Sequence, residues 1–374
     1  MIKSLTLVKN KVINVALVGC GRISQNHIRS ITIHNDQAKL VAICDNQEER
    51  LEKAEKYFYE CLEVNRANQY IPKKFKNYSE MIKSCSSGEI SIDLIVLATP
   101  SGLHPNQVIE AAKAKIHVCT EKPMATNWED GIAMVNECDK SNVHLFVVKQ
   151  NRFNKTLQLV KKQLEKGRFG KLAMVTMNVF WHRPQKYYDQ DEWRGTSTLD
   201  GGALMNQASH YVDLLDWLIG PVASINASFA TISRNIEVED TAALQIDWEN
   251  GALGTMAVTM LTFPKNLEGS ITILGDRGTV RVGGQAVNKI EQWQFADKDD
   301  DDQKIEEASY LTTSVYGFGH PPYYKNMLDT LHGKDKAICN GDDGLKSLGF
   351  QVERIQCAVW CTFRCARTAV IHQN

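Results

Sequence analysis

Short, mostly apolar runs alternate with amphipathic stretches through the first 150 residues. The runs Val12–Val18, Leu40–Cys44, Ile92–Ala98, Ile116–Cys119 and Val143–Val147 have the composition of strands buried on both faces of a parallel sheet. Between them, a 3.6-residue period predicts helices over Ile23–Ile33, Glu48–Phe58, Ser79–Lys83, Pro105–Ala114 and Trp128–Lys140. This alternation predicts an α/β domain with helices on both faces of its sheet. Glu60–Lys76 matches neither period and is expected to be a connecting insertion.

The pattern changes after Gln150. A helix is expected over Lys155–Lys166, stopped by Gly167. Longer strand-like runs follow at Leu172–Trp181, Val222–Ile232, Thr241–Trp248, Ala252–Leu261, Gly269–Leu274 and Thr279–Val282. Asn250-Gly251 and Asp276-Arg277-Gly278 are turn signals between successive runs. One helix, Ala203–Leu218, interrupts the strands, and others are expected near Tyr323–Leu331 and over Asp343–Thr368. The acidic run Asp297–Asp302 reads as a solvated, self-repelling loop. The predicted organisation is a Rossmann-type domain over residues 1–150. An α+β domain with an open, mostly antiparallel sheet follows over 151–374, and its final helices are candidates to pack back on the first domain.

Composition narrows the function classes. A chain of 374 residues exceeds one ordinary core, and 43% hydrophobic with 23% charged residues is globular. A net charge of −1 gives no electrostatic case for nucleic acid or an anionic membrane, though local Arg and Lys still suit an anionic substrate. No run is long and apolar enough for a membrane span, and Met1–Asn10 lacks a signal-peptide core, so a cytoplasmic location is expected. The ten cysteines form no C-x-x-C pair and are expected to be reduced thiols. Cys357, Cys361 and Cys365 share a helical face, read as small core residues rather than a metal site; no metal is expected.

The glycines after the first strand bring in chemistry. In Val18-Gly19-Cys20-Gly21-Arg22-Ile23-Ser24, Gly19 permits the tight turn and Gly21 lets backbone approach a pyrophosphate at a helix N-terminus. Ser24 stands where a third glycine is usual. The second strand ends at Asp45, a carboxylate suited to the ribose hydroxyls of NAD and repulsive to the extra phosphate of NADP. At the fourth strand's end, Thr99, Ser101 and His104 are candidates to line the ribose and nicotinamide, with a plain helix start the alternative for His104. The next strand ends in Glu121-Lys122-Pro123, where Lys122 is placed to hydrogen-bond a substrate hydroxyl and ease its deprotonation. A surface ion pair is the simpler alternative. In the second domain Asn206 and His210 share a helical face, and His210 suits proton transfer near neutral pH.

Gly19-x-Gly21, Glu121-Lys122-Pro123 and the Gly-Gly…His210-x-x-Asp213 pattern together resemble the glucose–fructose oxidoreductase / inositol dehydrogenase / rhizopine-catabolism family over nearly the whole chain. The resemblance implies that Lys122 and His210 flank the substrate carbon that faces the nicotinamide. Many members carry Asp four residues before the histidine. Here it is Asn206, which positions a hydroxyl but cannot act as a base. The resemblance extends the cofactor-binding set from Gly19, Cys20, Gly21, Arg22, Ile23, Asp45, Thr99, Ser101 and His104 to Glu121, Lys122, Gln150, Trp193 and Arg194.

A narrower likeness rests on Trp181–Asp189, Trp193–Thr196, Met205–His210, Glu237–Thr241, Leu267–Ser270 and Ala286–Ile290. These resemble the branch acting on UDP-linked N-acetylglucosaminuronate. The likeness implies NAD-dependent oxidation of the sugar 3-hydroxyl to a ketone, in making bacterial surface polysaccharide such as O-antigen lipopolysaccharide. Arg152, Lys155, Arg183 and Arg194 offer cations to the diphosphate and uronate, and Tyr187, Tyr188 and Tyr324 offer rings to sugar or uracil, with ordinary packing the alternative. The loop Gly317–Pro322 is expected near the site. Recycling of bound cofactor by 2-oxoglutarate and a homodimer or homotetramer are also implied. The alternatives are an inositol or free-sugar dehydrogenase and a non-catalytic NAD-sensing protein.

Overall fold

The structure, a computed structural model, describes residues 5–8, 11–312 and 315–350. They divide into two units. One lies within 1–149 together with 320–345, the other within 150–319 together with 346–350.

The first unit is built on six parallel strands: β1 Ile13–Val18, β2 Ala38–Cys44, β3 Lys73–Phe75, β4 Leu94–Leu97, β5 His117–Thr120 and β6 Leu145–Val147, in the order β3-β2-β1-β4-β5-β6. Every side chain of β4 is buried, as the apolar run requires of a strand covered on both faces. The crossovers are α1 Ser24–Ile33, α2 Glu48–Val64, α3 Tyr78–Ser86, α4 His104–Lys113 and α5 Trp128–Ser141. The chain leaves β1 towards β2 on one side and later returns to lay β4 against β1 on the other, with Val15 opposite Leu94 and Val18 opposite Leu97. The strand order reverses there, and ligands of such sheets bind outside the strand ends at this point. The helix His320–Leu331 belongs to this unit.

Residues 60–76 are not a loose insertion. Helix α2 runs on to Val64, and β3 pairs parallel to β2, Phe75 opposite Cys44. The connection is anchored by Tyr70, whose ring meets Phe58 edge-on and whose hydroxyl accepts the Leu40 N–H at 3.0 Å.

The second unit holds a seven-stranded sheet in the order β13-β12-β11-β7-β10-β9-β8. Its strands are β7 Leu172–Phe180, β8 Val222–Ala230, β9 Thr241–Trp248, β10 Leu253–Thr259, β11 Glu268–Gly275, β12 Gly278–Gly283 and β13 Lys289–Phe295. Only the β7–β10 pair is parallel. Alternate residues Val175, Met177, Val179, Leu244, Ile246, Met256, Val258, Ile271 and Ile273 form one buried face. Against it pack α6 Lys155–Glu165, through Leu157 and Val160, and the helical stretch 203–219, through Leu204, Tyr211, Val212 and Leu215. That stretch is not one regular helix. A short α-helical piece, Ser209–Leu214, lies between wider π-type turns at Ala203–Gln207 and Leu215–Ile219.

The acidic run departs most from expectation. Asp300–Lys304 is a 3-10 turn, capped by Asp299. Asp301 is buried and accepts from Lys162, Lys166 and Lys304, while Arg168 bonds both oxygens of Asp302. These cations and the Trp293 indole, which also donates to Asp302, replace the expected repulsion with a clamp between α6 and β13. The lysines hold the Asp301 carboxyl far below its usual range, and Arg168 holds Asp302 at about 2. Of the final helix, Gly341–Gly349 is described; the Cys357, Cys361 and Cys365 face lies outside the described residues. Among the described residues, no helix is long and apolar enough to cross a membrane.

Candidate active site

In the first unit, the carboxyl ends of β1, β2, β4 and β5 deliver Gly19, Asp45, Thr99 and Glu121-Lys122 to one edge of the sheet. Gly19 has φ +90°, and a Cβ there would lie 2.5 Å from the Ala98 carbonyl oxygen, so both conformation and space demand glycine. Gly21 faces open space, with nothing within 4 Å of a Cβ position, and α1 starts three residues later. An exposed backbone at a helix N-terminus is the cradle a pyrophosphate needs. Asp45 stands against this loop. One carboxylate oxygen accepts the Cys20 N–H at 2.8 Å and the other the Gln47 N–H at 2.9 Å. Ser24 returns its hydroxyl to the Gly21 carbonyl at 2.6 Å, closing the turn where a third glycine is usual. Arg22 is exposed and Ile23 half-buried. The residues present therefore fit a dinucleotide.

His104 corrects an expectation. It begins α4 and is wholly covered by protein, its ring nitrogens against the carbonyls of Thr99 and Pro123 at 2.9 and 3.1 Å. Burial lowers its pKa. A side chain with no exposed surface cannot line a ligand, so His104 braces the Thr99 and Pro123 loops instead. Thr99 bonds Gln107 at 2.6 Å, and Ser101 is buried.

Lys122 is half-buried, and its backbone N–H donates to Glu121 at 3.1 Å. Glu121 is buried and also meets His27 Nε2 at 3.1 Å. Burial works to raise its pKa, but first the His27 hydrogen bond and then the charges of His27 and Lys122 outweigh it and hold the carboxyl at about 2. Tyr324 was expected to contact sugar or uracil. It is instead fully covered, with its hydroxyl 2.8 Å from His27 Nδ1.

In the second unit, Gln150 opens the turn Gln150–Phe153 and its amide donates to His210 Nε2 at 2.9 Å. The ring proton of neutral His210 then sits on Nδ1. His210 is 7% exposed, on the short helix after the first π-type turn. The amide of Asn206, in that turn, donates to Asp200, whose other oxygen accepts the Gly195 N–H at 2.6 Å. Glu239 caps the same turn, accepting the Leu204 N–H at 2.8 Å and filling the space where a Cβ on Gly202 would stand. Burial first, then the charges of Asp200 and Asp240, push Glu239 up to about 7 against its backbone donors. Sequence reasoning assigned no role to Asp200 or Glu239; the Gly201-Gly202 pair and the Glu237–Asp240 cluster were the available signals.

The expected cations divide. Arg152 is buried, and two of its nitrogens bond Asp213 at 2.8 and 2.7 Å, so its charge is neutralised within the fold rather than offered to a phosphate. Lys155 is exposed and pairs with Glu307 at 3.2 Å. Arg183 and Arg194 are half-buried and interleave with aromatic faces. Arg194 lies 4.3 Å from the Tyr187 centroid and 4.8 Å from Trp193, and Arg183 lies 5.1 Å from Trp181 and 5.4 Å from Tyr187. Tyr188, edge-on to Tyr187, is 5% exposed. Among the described residues, no group of three or more His, Cys, Asp or Glu is placed to hold a metal ion.

Residues 13–149 match the oxidoreductase-family model for the NAD-binding Rossmann fold, and residues 161–351 match that family's C-terminal alpha/beta domain. The chain belongs to the glucose–fructose oxidoreductase / inositol dehydrogenase / rhizopine-catabolism family. Within the family it is 54% identical to the WlbA dehydrogenase from Bordetella pertussis, solved with NADH and UDP-GlcNAcA. That likeness covers 94% of this chain and 96% of that one, with a TM-score of 0.85. The WlbA dehydrogenase from Chromobacterium violaceum, solved with the same two ligands, is 49% identical over 96% of each chain, with a TM-score of 0.84. The family also reaches other chemistry. A 2,7-anhydro-N-acetylneuraminate hydratase from Escherichia coli (strain K12) is 25% identical, over 83% of this chain and 80% of that protein. Family membership alone therefore does not set the reaction.

Proposed function

We propose that this protein is an NAD-dependent dehydrogenase of UDP-N-acetylglucosaminuronate that oxidises the sugar 3-hydroxyl to a ketone. The observation that carries the reading is identity of 54% and 49%, over nearly the full chain, to two dehydrogenases solved with NADH and UDP-GlcNAcA. The open backbone at Gly21 and the carboxylate of Asp45 beside the glycine loop support NAD as the cofactor.

NAD, when bound, supplies the acceptor for the hydride that leaves the sugar carbon. The chain's own residues bind, orient and move the proton. Gly19, Gly21 and the N-terminus of α1 hold the pyrophosphate, and Asp45 accepts the ribose hydroxyls. Lys122 touches the 3-hydroxyl and lowers the cost of its ionisation, and His210 is the base that receives the proton; both roles rest on the family resemblance. Asn206, its amide nitrogen committed to Asp200, offers its oxygen to a substrate donor. Arg183 and Arg194 hold the anionic parts of the substrate. The setting we propose is the cytoplasm, in surface-polysaccharide synthesis, with a homodimer or homotetramer as the working form and 2-oxoglutarate able to recycle bound NADH.

The test is turnover of UDP-GlcNAcA with NAD, followed by NADH absorbance and by mass spectrometry for a product two hydrogens lighter. It is run with and without 2-oxoglutarate, beside myo-inositol. Lys122→Ala is expected to lower kcat by about 10²–10⁴, the scale of one acid–base group. Oxidation of inositol but not of the UDP-sugar, or NAD binding without turnover of either, overturns the proposal.

A further inference from the structure

A set of buried polar groups lies behind Lys122 in the first unit. His27 on α1 and Tyr324 on the helix His320–Leu331 are both 0% exposed, and Glu121 after β5 is 7% exposed. His27 bridges the other two, Nδ1 to the Tyr324 hydroxyl at 2.8 Å and Nε2 to Glu121 Oε1 at 3.1 Å. The second carboxylate oxygen, Oε2, accepts the backbone N–H of Lys122. Buried polar groups of this kind are no better for stability than apolar residues of the same volume. Their arrangement fits a specific task instead: both carboxylate oxygens are tied, one to the interior and one to the residue that faces the substrate.

We propose that His27 and Tyr324 are positioning residues for Lys122, holding Glu121 as a fixed anion against the lysine's backbone. The inference rests on the reading of Lys122 as the acid–base group. Glu121 is faced by His27 from α1, by His320 and Tyr324 from the helix His320–Leu331, and by Lys122 in its own turn. His104 on α4 and Cys119 on β5, both buried, also feel the Glu121 charge. Burial and the neighbouring His27 push His320 down to about 3, so it is neutral and adds little positive charge. The hydrogen bond from His27 is the largest influence opposing burial of the Glu121 charge. Without it, burial raises the Glu121 pKa. A protonated Glu121 gives up its charge beside Lys122 and weakens its hold on the Lys122 N–H. The acid limb of activity then moves to higher pH.

The experiment measures kcat/KM for UDP-GlcNAcA against pH, at saturating NAD, for His27→Phe, His27→Gln and Tyr324→Phe. His27→Phe is expected to move the acid limb up by about 1–3 pH units, the scale on which one partner shifts a carboxyl. His27→Gln keeps a donor towards Oε1 and is expected to restore most of the native profile. Tyr324→Phe is expected to shift it in the same direction by less. In a Glu121→Gln background, His27→Phe is expected to cause no such shift. Fluorescence titration with NAD shows that each variant is folded, and if His27→Phe fails to bind NAD, Tyr324→Phe carries the test. Profiles that superpose on the native one overturn the inference. Lys122→Ala separates the two readings. Native activity in that variant overturns the role of Lys122, whereas an inactive Lys122→Ala with unshifted His27 and Tyr324 profiles overturns the positioning role alone.

Discussion

Replacing Asp213 by Ala should unfold the second unit at markedly lower temperature while leaving the chemistry of any surviving enzyme intact. The Arg152 and Asp213 side chains are 4% and 2% exposed, joined by two charge-assisted hydrogen bonds of 2.8 and 2.7 Å. The Ser347 hydroxyl adds a third bond to Asp213 at 2.9 Å, and the guanidinium lies 5.9 Å from the Trp217 ring centroid. Asp213→Ala removes the carboxylate and leaves a buried guanidinium without its counter-charge, which costs about 3–5 kcal/mol. For a unit of this size each kcal/mol is roughly 2–4 °C of melting temperature, so the expected drop is roughly 6–20 °C. Ser347→Ala should cost about 1 kcal/mol, the net worth of one hydrogen bond. The double replacement Arg152→Met with Asp213→Leu should recover most of the loss, because it removes both charges and keeps the volume. Thermal and urea melts followed by tryptophan fluorescence measure these values, and KM for UDP-GlcNAcA is measured on the folded fraction. If Asp213→Ala melts like the native protein while KM rises, Arg152 serves the substrate rather than the fold, and the reasoning from burial fails.

Gly19→Ala should abolish NAD binding in a fluorescence titration, because the Cβ would lie 2.5 Å from a backbone oxygen at φ +90°; affinity within about twofold of native would refute the close approach. Glu239 carries a pH signature of the opposite sign from an ordinary surface carboxylate. Its folded pKa, about 7, lies above the usual glutamate value of 4.5, so the stability it contributes is full below the lower value and is lost as pH rises through the upper one. Glu239→Gln should flatten that part of the stability-versus-pH curve, and an unchanged slope between the two pKa values counts against the neutral, buried carboxyl.

How much of this was legible in the sequence depended on where each residue's partner lies. The strands β1, β2, β4, β5 and β6 of the first sheet were readable because they are mostly apolar runs covered on both faces. Gly19 and Asp45 were readable because their task is set by backbone geometry at a strand end. β3 was not, since it has three residues, two of them exposed lysines, and exists only because β2 offers it an edge. The acidic run was read as repulsive because its partners Lys162, Lys166 and Arg168 stand more than a hundred residues earlier in the chain. Separation along the chain also hid the fates of Arg152, 61 residues from Asp213, and Tyr324, 297 residues from His27. Asp213 and His27 show no local sign of pairing with them, and a lone Arg or Tyr beside a suspected site invites a ligand role that the fold has already assigned elsewhere.

Asn206 carries the argument furthest. As a sequence departure it removed a carboxylate from the family's usual set and left only a polar side chain. In the structure a carboxylate is present, but displaced. Asp200 receives the Asn206 amide nitrogen and the Gly195 backbone, so the amide is held with its oxygen as the accepting end. An Asp at 206 would set two carboxylates together in a turn already flanked by Glu239 and Asp240, and at least one would have to take up a proton. Asn206 is thus compatible with the acidic surroundings of this particular turn in a way that the family's usual residue is not. An amide here keeps a hydrogen-bonding group in the turn without adding another carboxylate to it.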